Sequence, residues 1–363
     1  MKQITTILAL LVSFTMSAQL SSVTENSKIG QRLTGSTAAN HGDIGSNAVD
    51  LSYSSSSSTT KGATGTASTA MGKNTTASGD YSTSMGASTT ASGYYSTAMG
   101  YGTIALGWYS TAMGRSTTAS ANYSTAMGQN TTASGNYSTA MGSVTTASGW
   151  YSTAMGYGTN ASGDRSTAMG SYTTASDYAS LSIGRYNSVN STVTAGGSAT
   201  AFNTDNAALV IGNGTGSSAK SDAFVVYFNG NATLSGDLTI NSDERLKDNI
   251  QPLGSTINKL HQIEGKTYSL KKDEEHTPKI GVLAQEVQAV FPELVTEGGD
   301  GILSVNYQGL VPVLINAINE QEVKMSEQEV KMSEQDAKIA ALEEMVRLLA
   351  LKQSKTSSTA AAN

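Results

Sequence analysis

Cysteine is absent from this 363-residue chain, so no disulfide can brace it. Proline occurs four times, and charged residues make up only 14% of the chain. Five phenylalanines and two tryptophans cannot fill a conventional core for a protein of this length. The formal net charge of -6 speaks against a nucleic-acid partner, which calls for a basic patch. Beyond the N-terminal stretch, no apolar run approaches the ~20 residues that a helix needs to span a bilayer. What the chain has instead is 37 glycines and abundant serine, threonine and alanine. Such a chain either stays disordered or folds by repetition, burying small side chains in thin layers.

The first residues, "MKQITTILALLVSFTMSAQ", read as a secretory signal over 1–18. Lys2 supplies the positive start, Ile7 to Phe14 the apolar stretch, and Ser17-Ala18 the small-residue cleavage site. The mature chain is therefore expected to be secreted, to the cell surface or beyond, without a membrane-spanning segment. A Ser-rich segment, 19–61, leads into a repeat.

The repeat has a period of fourteen residues. Its methionines stand at Met71, Met85, Met99, Met113, Met127, Met141, Met155 and Met169, and one further step lands on Ile183. Each period holds two short phrases, of the type "TTASG" and "YSTAMG". Frequent glycine, at ~1 kcal/mol each against alanine, argues against helix. Two short strands per period, each closed by glycine, predict stacked coils at about 4.8 Å per coil. A linker has no reason to keep such a register. In an extended "YSTAMG", Ser and Ala share one face and Tyr, Thr and Met the other. The Ser/Ala face suits a cramped interior, which leaves an apolar methionine ridge outside the coil in need of a partner. Another copy of the same chain around a symmetry axis is the simplest partner.

With these residues in view, the 62–190 segment resembles the head repeats of YadA-like trimeric autotransporter adhesins. The resemblance implies a left-handed parallel β-roll that trimerises side by side, with the Thr and Met columns facing the trimer centre. Methionine where that family favours isoleucine or valine is a departure that implies looser packing.

Variable positions of the repeat are expected to face outward. One column reads Tyr81, Tyr95, Tyr109, Tyr123, Tyr137, Tyr151 and Arg165, and is expected to form a stabilising aromatic ladder. The neighbouring column contains Tyr94, Trp108 and Trp150, and Tyr101 and Tyr157 follow Met-Gly pairs. These five are candidates for gripping a host glycan or surface protein. No calcium-roll pattern is present, so neither metal nor cofactor is expected. The threonine doublets, such as Thr75-Thr76 and Thr117-Thr118, leave an ice-binding face as a minor alternative.

Past residue 190 the period stops, and 191–241 reads as a β-rich neck of short hairpins. Residues 242–320 read as a small α+β domain, with "KIGVLAQEVQAVFPELV" a strand running into a helix. A heptad then continues to residue 351, with Ile318, Met325, Met332, Ile339, Leu342, Val346 and Leu349 at its core positions. The segment 321–351 is assigned as a trimeric coiled coil and 352–363 as a disordered tail. The fold class is thus mainly β: a β-solenoid head, a neck, a small α+β domain and a coiled coil.

The phrases "SDERLKDNI", "GVLAQEVQAVFPELV" and "VNYQGLVPVLINAI" resemble the endosialidase-type intramolecular chaperone auto-processing domain that ends phage tail spikes and fibres. That resemblance implies a trimer that templates folding and then cuts itself off. It makes Ser242 the nucleophile, Lys247 the base and Asn241–Ser242 the scissile bond. Residues five apart on an ideal helix lie about 140° apart around its axis. Either Ser242 therefore lies in an extended segment before the helix, or the lysine comes from a neighbouring protomer. Arg245 is a candidate cation for lowering the lysine's pKa. The three histidines fit no catalytic pattern and are read as incidental. Enzymatic activity, if any, is confined to this in-cis serine autopeptidase. The whole reads as a secreted homotrimeric adhesin-like fibre. The alternatives are a phage or prophage tail-fibre component, or a structural fibre that does not cleave.

Overall fold

The computed structural model describes residues 20–271 and 276–360, with side chains as far as 352. The proposed signal lies outside the described residues. The chain divides into two compact units that part between Ile240 and Asn241.

The first unit is a parallel β-roll. Long strands from Thr69–Lys73 to Leu181–Arg185 repeat every fourteen residues, each hydrogen-bonded to its equivalent one coil away. Thr111 pairs with Thr125, Ala112 with Ala126 and Met113 with Met127. Two-residue strands from Gly62–Ala63 to Thr174–Ala175 form the opposite, nine-stranded sheet. The interior is as small as the sequence requires. In one coil Ser110, Ala112, Thr117 and Ala119 are all fully buried. The repeat Ser just before the long strand and the Ala within it are where alternation places them. The first threonine of each doublet also turns inward and the second is at most half-exposed, so the minor alternative of a flat face carrying both threonines does not form.

Glycine closes each long strand for a reason the geometry makes plain. Gly128 has φ +121°, and a Cβ there would sit 1.9 Å from the Gly142 carbonyl oxygen one coil on. Two further corners per coil take a left-handed backbone with side chains present, among them Asn130 at φ 52° and Tyr137 at φ 60°. A bulky residue in that region carries strain of about 1–2 kcal/mol. Tyrosine stacking, worth about 0.5–1.5 kcal/mol per pair, offsets it.

The roll extends beyond the fourteen-residue period at both ends. Val49–Tyr53 stacks parallel on Thr69–Lys73, placing a coil inside the segment expected to precede the head. At the other end Ala207–Asn213 stacks parallel on Leu181–Arg185, with Ile211 opposite Ile183. The chain between them leaves the roll, and asparagine side chains take over the bonds the missing short strand would have made. Asn187 Oδ1 accepts from Thr174 N, and Asn190 Oδ1 accepts from Ser176 N and Asp177 N. Asp177, which replaces a repeat glycine, accepts from Thr194 N and Ala207 N. Antiparallel strands Asp222–Tyr227 and Ala232–Leu234 then complete the sheet, as the hairpin reading of this stretch expects.

The second unit has a small core of Val287, Val290, Phe291 and Val313, with Leu260, Ile263 and Val305 packed on it. The strand-into-helix segment is Lys279–Gly281 followed by Ala284–Val290. Helix Leu310–Ala360 runs past residue 351 into the stretch expected to be a disordered tail. No glycine or proline between 352 and 360 interrupts it. A carboxylate latches the helix to the domain. Glu320 accepts from Thr256 N at 2.6 Å and Ser255 Oγ at 2.8 Å, and Asn316 Nδ2 bonds it at 2.9 Å. The Thr256 N–H is the main reason its carboxyl is held below the ordinary value of 4.5; partial desolvation opposes this, and the Ser255 and Thr256 hydroxyls add to it.

Candidate functional site

At the start of the second unit, Ser242 lies outside any helix, Asp243 is extended, and Glu244–Leu246 forms a single tight 3-10 turn. Asp243 caps that turn by accepting from Arg245 N at 2.9 Å. Three residues of tighter helix replace the ideal α-helix, and Lys247, just after them, swings back over the serine. Its Nζ donates to Ser242 Oγ at 2.8 Å. Both residues belong to one chain and both are exposed. This contact within one chain corresponds to the first of the two routes open from the sequence. Arg245, the candidate cation beside the lysine, pairs with Asp243. Its guanidinium grips Asp243 at 2.6 and 3.0 Å, and this bond is what holds the Asp243 carboxyl below its ordinary value. Chemically, a neutral amine at this distance can take the hydroxyl proton of a serine that adjoins its own peptide bond.

Two apolar rows lie unpartnered on the single chain. On the head, the methionines sit outside the coil interior: Met71, Met85, Met155 and Met169 are 36–37% exposed. Met99, Met113, Met127, Met141 and Ile183 are half-buried. On the C-terminal helix, Ile318, Met325, Met332, Ile339, Leu342, Val346 and Leu349 are all exposed.

The aromatic columns divide by environment. Tyr81, Tyr95, Tyr109, Tyr123, Tyr137 and Tyr151 form a continuous stack with centroids 4.7–5.2 Å apart and planes within 8° of parallel. Arg165 ends it, its guanidinium over the Tyr151 ring. Tyr94 is drawn into this ladder, edge-on to Tyr81 and Tyr95. A hydrogen bond with Tyr95, together with crowding by the rings, pushes its hydroxyl up to about 12. Tyr157 packs edge-on against Tyr172. Tyr101, Trp108 and Trp150 stay open to solvent, the tryptophans 60% and 57% exposed.

A buried polar cluster at the head's N-terminal end escaped the sequence reading. Asp50 occupies the register position of Ala70 and is fully buried. His41 Nδ1 lies 3.0 Å from its Oδ2, Ser52 Oγ donates to its Oδ1 at 2.6 Å, and Arg32 Nε approaches at 3.4 Å. Arg32 also bonds Glu25 at 2.7 Å. These groups close the roll at this end, so His41 is structural and not incidental. Its signal was "VDLSY" read as a coil with aspartate at the alanine position. Among the described residues, no cluster of three or more metal-ligating side chains is present, and no helix is long and apolar enough to cross a membrane.

Residues 242–296 match the family described as "Chaperone of endosialidase". The head matches "YadA head domain repeat (2 copies)" in windows from 63–89 to 161–186. Among curated proteins, the chain is 39% identical over 97 residues to the "Long tail fiber protein Gp37" of Escherichia phage AR1. That alignment covers 24% of this chain and 9% of the relative. The protein of the same name from Salmonella phage S16 is 34% identical over 99 residues, covering 25% of this chain and 13% of the relative. The chain thus spans about a tenth of the length of these curated relatives.

Proposed function

We propose that this chain, which carries YadA head repeats and a chaperone-of-endosialidase domain, is the protomer of a homotrimeric, tail-fibre-like protein working outside the cell or on a virion surface. The carrying observation is the pair of regular apolar rows left uncovered on the single chain, one on each unit. Three copies would cover the methionine ridge and turn the C-terminal helix into a coiled coil. Local helical contacts form quickly, whereas parallel β pairing is slow and prone to aggregate. A chaperone domain behind the head answers that problem.

The Lys247–Ser242 contact supports self-release as the last step. Neutral Nζ takes the Ser242 hydroxyl proton while Oγ attacks the Asn241 carbonyl carbon. The C–N bond breaks as the amide nitrogen takes up that proton, leaving an ester. Water hydrolyses the ester to an Asn241 carboxylate and a Ser242 with a free amine and its hydroxyl restored. The mature fibre, residues 19–241, would then be hard to disassemble. Its exposed aromatics would meet a host glycan or surface protein.

Intact mass spectrometry and light scattering on the purified chain test this reading, beside a Ser242→Ala variant. The expected result is a trimer whose chains end at Asn241, with the variant staying full-length. A monomer would refute the trimer. Only full-length chain from the unaltered protein would leave the non-cleaving fibre.

A further inference from the structure

We propose that Trp108, Asn122, Asn136 and Trp150 form a linear carbohydrate-binding strip, taking an extended pyranose chain laid parallel to the stacking axis of the roll. This rests on reading the head as an outward binding surface, and names the ligand class and its direction. The four residues are equivalents in successive coils, so they form one file with a step of about 4.8 Å and about 14 Å between the tryptophans.

The file has a structural role, and the tryptophans forgo it. Where Asp or Asn stands there, its Oδ1 accepts the backbone N–H of the equivalent residue one coil earlier. Asp80 takes Thr66 N at 2.7 Å, Asn122 takes Trp108 N at 2.9 Å, Asn136 takes Asn122 N at 3.2 Å and Asp164 takes Trp150 N at 2.8 Å. An indole has no acceptor to offer, so Trp150 leaves the N–H of Asn136 without that bond. Nor do both rings serve the aromatic ladder. Among the described residues no ring packs on Trp150, and the one ring beside Trp108 is that of Tyr94, at a tilt of 55°. Both tryptophans of the protein therefore occupy a file in which Asp or Asn bonds one coil to the next, and both stay open to solvent.

The spacing between them describes the ligand. With each Oδ1 turned to the backbone, the Asn122 and Asn136 amides offer their N–H groups between two exposed indole faces. A stable protein partner would cover about 800 Å² of the head, far more than a file one residue wide. An apolar face, two donors and a second apolar face instead match a chain of rings that presents C–H faces and hydroxyls in turn. One pyranose advances an extended chain by about one coil's rise, so the strip spans about four rings. No lysine or arginine stands in the file between the tryptophans, which favours a neutral glycan over a sulfated or phosphorylated one.

The test uses the purified full chain on an array of neutral oligosaccharides graded from one to eight rings, with cell adhesion measured in parallel. Affinity should climb until the chain reaches about four rings and then level off. Trp108→Ala and Trp150→Ala should each weaken binding at least tenfold without lowering the melting temperature. Deleting residues 122–135 removes one whole coil in register and leaves Asn136 to take Trp108 N. This should shift the plateau down by one ring. Unchanged binding by the tryptophan variants, or a plateau unmoved by the deletion, overturns the strip. Adhesion to cells without array binding, or adhesion destroyed by protease treatment of the cells, overturns the strip while the head remains a binding surface. Absence of both array binding and adhesion overturns the strip together with that reading.

Discussion

Lys247 Nζ lies 2.8 Å from Ser242 Oγ across a single tight turn of the same chain. A positively charged lysine could make this contact only to hold the turn, and then arginine should serve as well. A catalytic base must lose its proton, which a guanidinium does not do in proteins. Lys247→Arg should therefore slow release at Asn241–Ser242 by roughly a hundredfold or more, in the range of a lost general base. The time course of intact mass after refolding measures this. Cleavage at the original rate in Lys247→Arg would reduce the lysine to a structural contact.

The two kinds of left-handed glycine in the head should respond oppositely to a side chain. At Gly128 the backbone stands at φ +121° and a Cβ would meet the Gly142 oxygen at 1.9 Å. Gly128→Ala should cost more than about 4 kcal/mol, in the range reserved for backbone clashes and strain. Gly102, at φ +61°, has nothing nearer than 3.8 Å. Asparagine fills the equivalent corner at Asn74 and Asn130. Gly102→Asn should fold and melt within about 0.5 kcal/mol of the parent, as surface changes do. Chemical denaturation of both variants checks the contrast.

Much of the head was legible because its rule is local. A fixed period, small residues on one face and glycine at the strand end together specify a stacked coil. The tyrosine ladder followed from the same count. The reading ended where the count did. Val49–Tyr53 and Ala207–Asn213 keep the coil's backbone path but not its residues or spacing, so no periodicity marks them. Asp50 at an alanine position is intelligible only beside His41 and Arg32, which come from elsewhere in the chain. The inward turn of Thr75 and its equivalents was hidden because either member of a threonine doublet can face either way. At the candidate cleavage site, the family resemblance named Ser242 and Lys247. Only the structure reveals the 3-10 turn that brings them together and the pairing of Arg245 with Asp243.

Buried hydroxyls in the roll offer a stabilising substitution. Thr117 Oγ1 is buried without a hydrogen-bond partner, as are its equivalents at Thr103 and Thr131. One coil departs from this. Where Ser84 replaces the repeat alanine, its Oγ lies 2.7 Å from Thr89 Oγ1. Ala112 stands in the same relation to Thr117, five residues on. Ala112→Ser should therefore stabilise the head by about 0.5–1.5 kcal/mol, the net worth of a hydrogen bond. A fall in the denaturation midpoint would mean that the added oxygen is crowded rather than paired.

Acid should loosen the second unit through Glu320. Its folded carboxyl is held below 4.5, chiefly by the Thr256 N–H. A group lowered on folding contributes stability that is fully present above its unfolded value and disappears as pH falls through its folded value. The latch between helix Leu310–Ala360 and residues 255–256 should thus hold at neutral pH and release progressively below pH 4.5. Glu320→Gln should melt lower at neutral pH and show a flatter acid response. Parallel acid profiles for the parent and Glu320→Gln would assign the transition to other carboxylates.

The methionine ridge yields the prediction that bears most directly on assembly. In the proposed trimer the Met113, Met127 and Met141 side chains are buried against neighbouring copies, where each must give up its rotamers. Isoleucine is stiffer at χ1 and loses less on burial, by about 1 kcal/mol per side chain. Replacing these three by isoleucine should raise the trimer's melting temperature. Met127→Asp should do the reverse, because three carboxylates would meet near the axis and none would have a counter-charge. Sedimentation of the Met127→Asp chain should show dissociation or a trimer that falls apart on dilution. If the ridge faced solvent instead, isoleucine would add exposed apolar surface and aspartate would cost little. A trimer unmoved by aspartate and made less soluble by isoleucine would place the ridge on the outside and require another surface to hold the copies together.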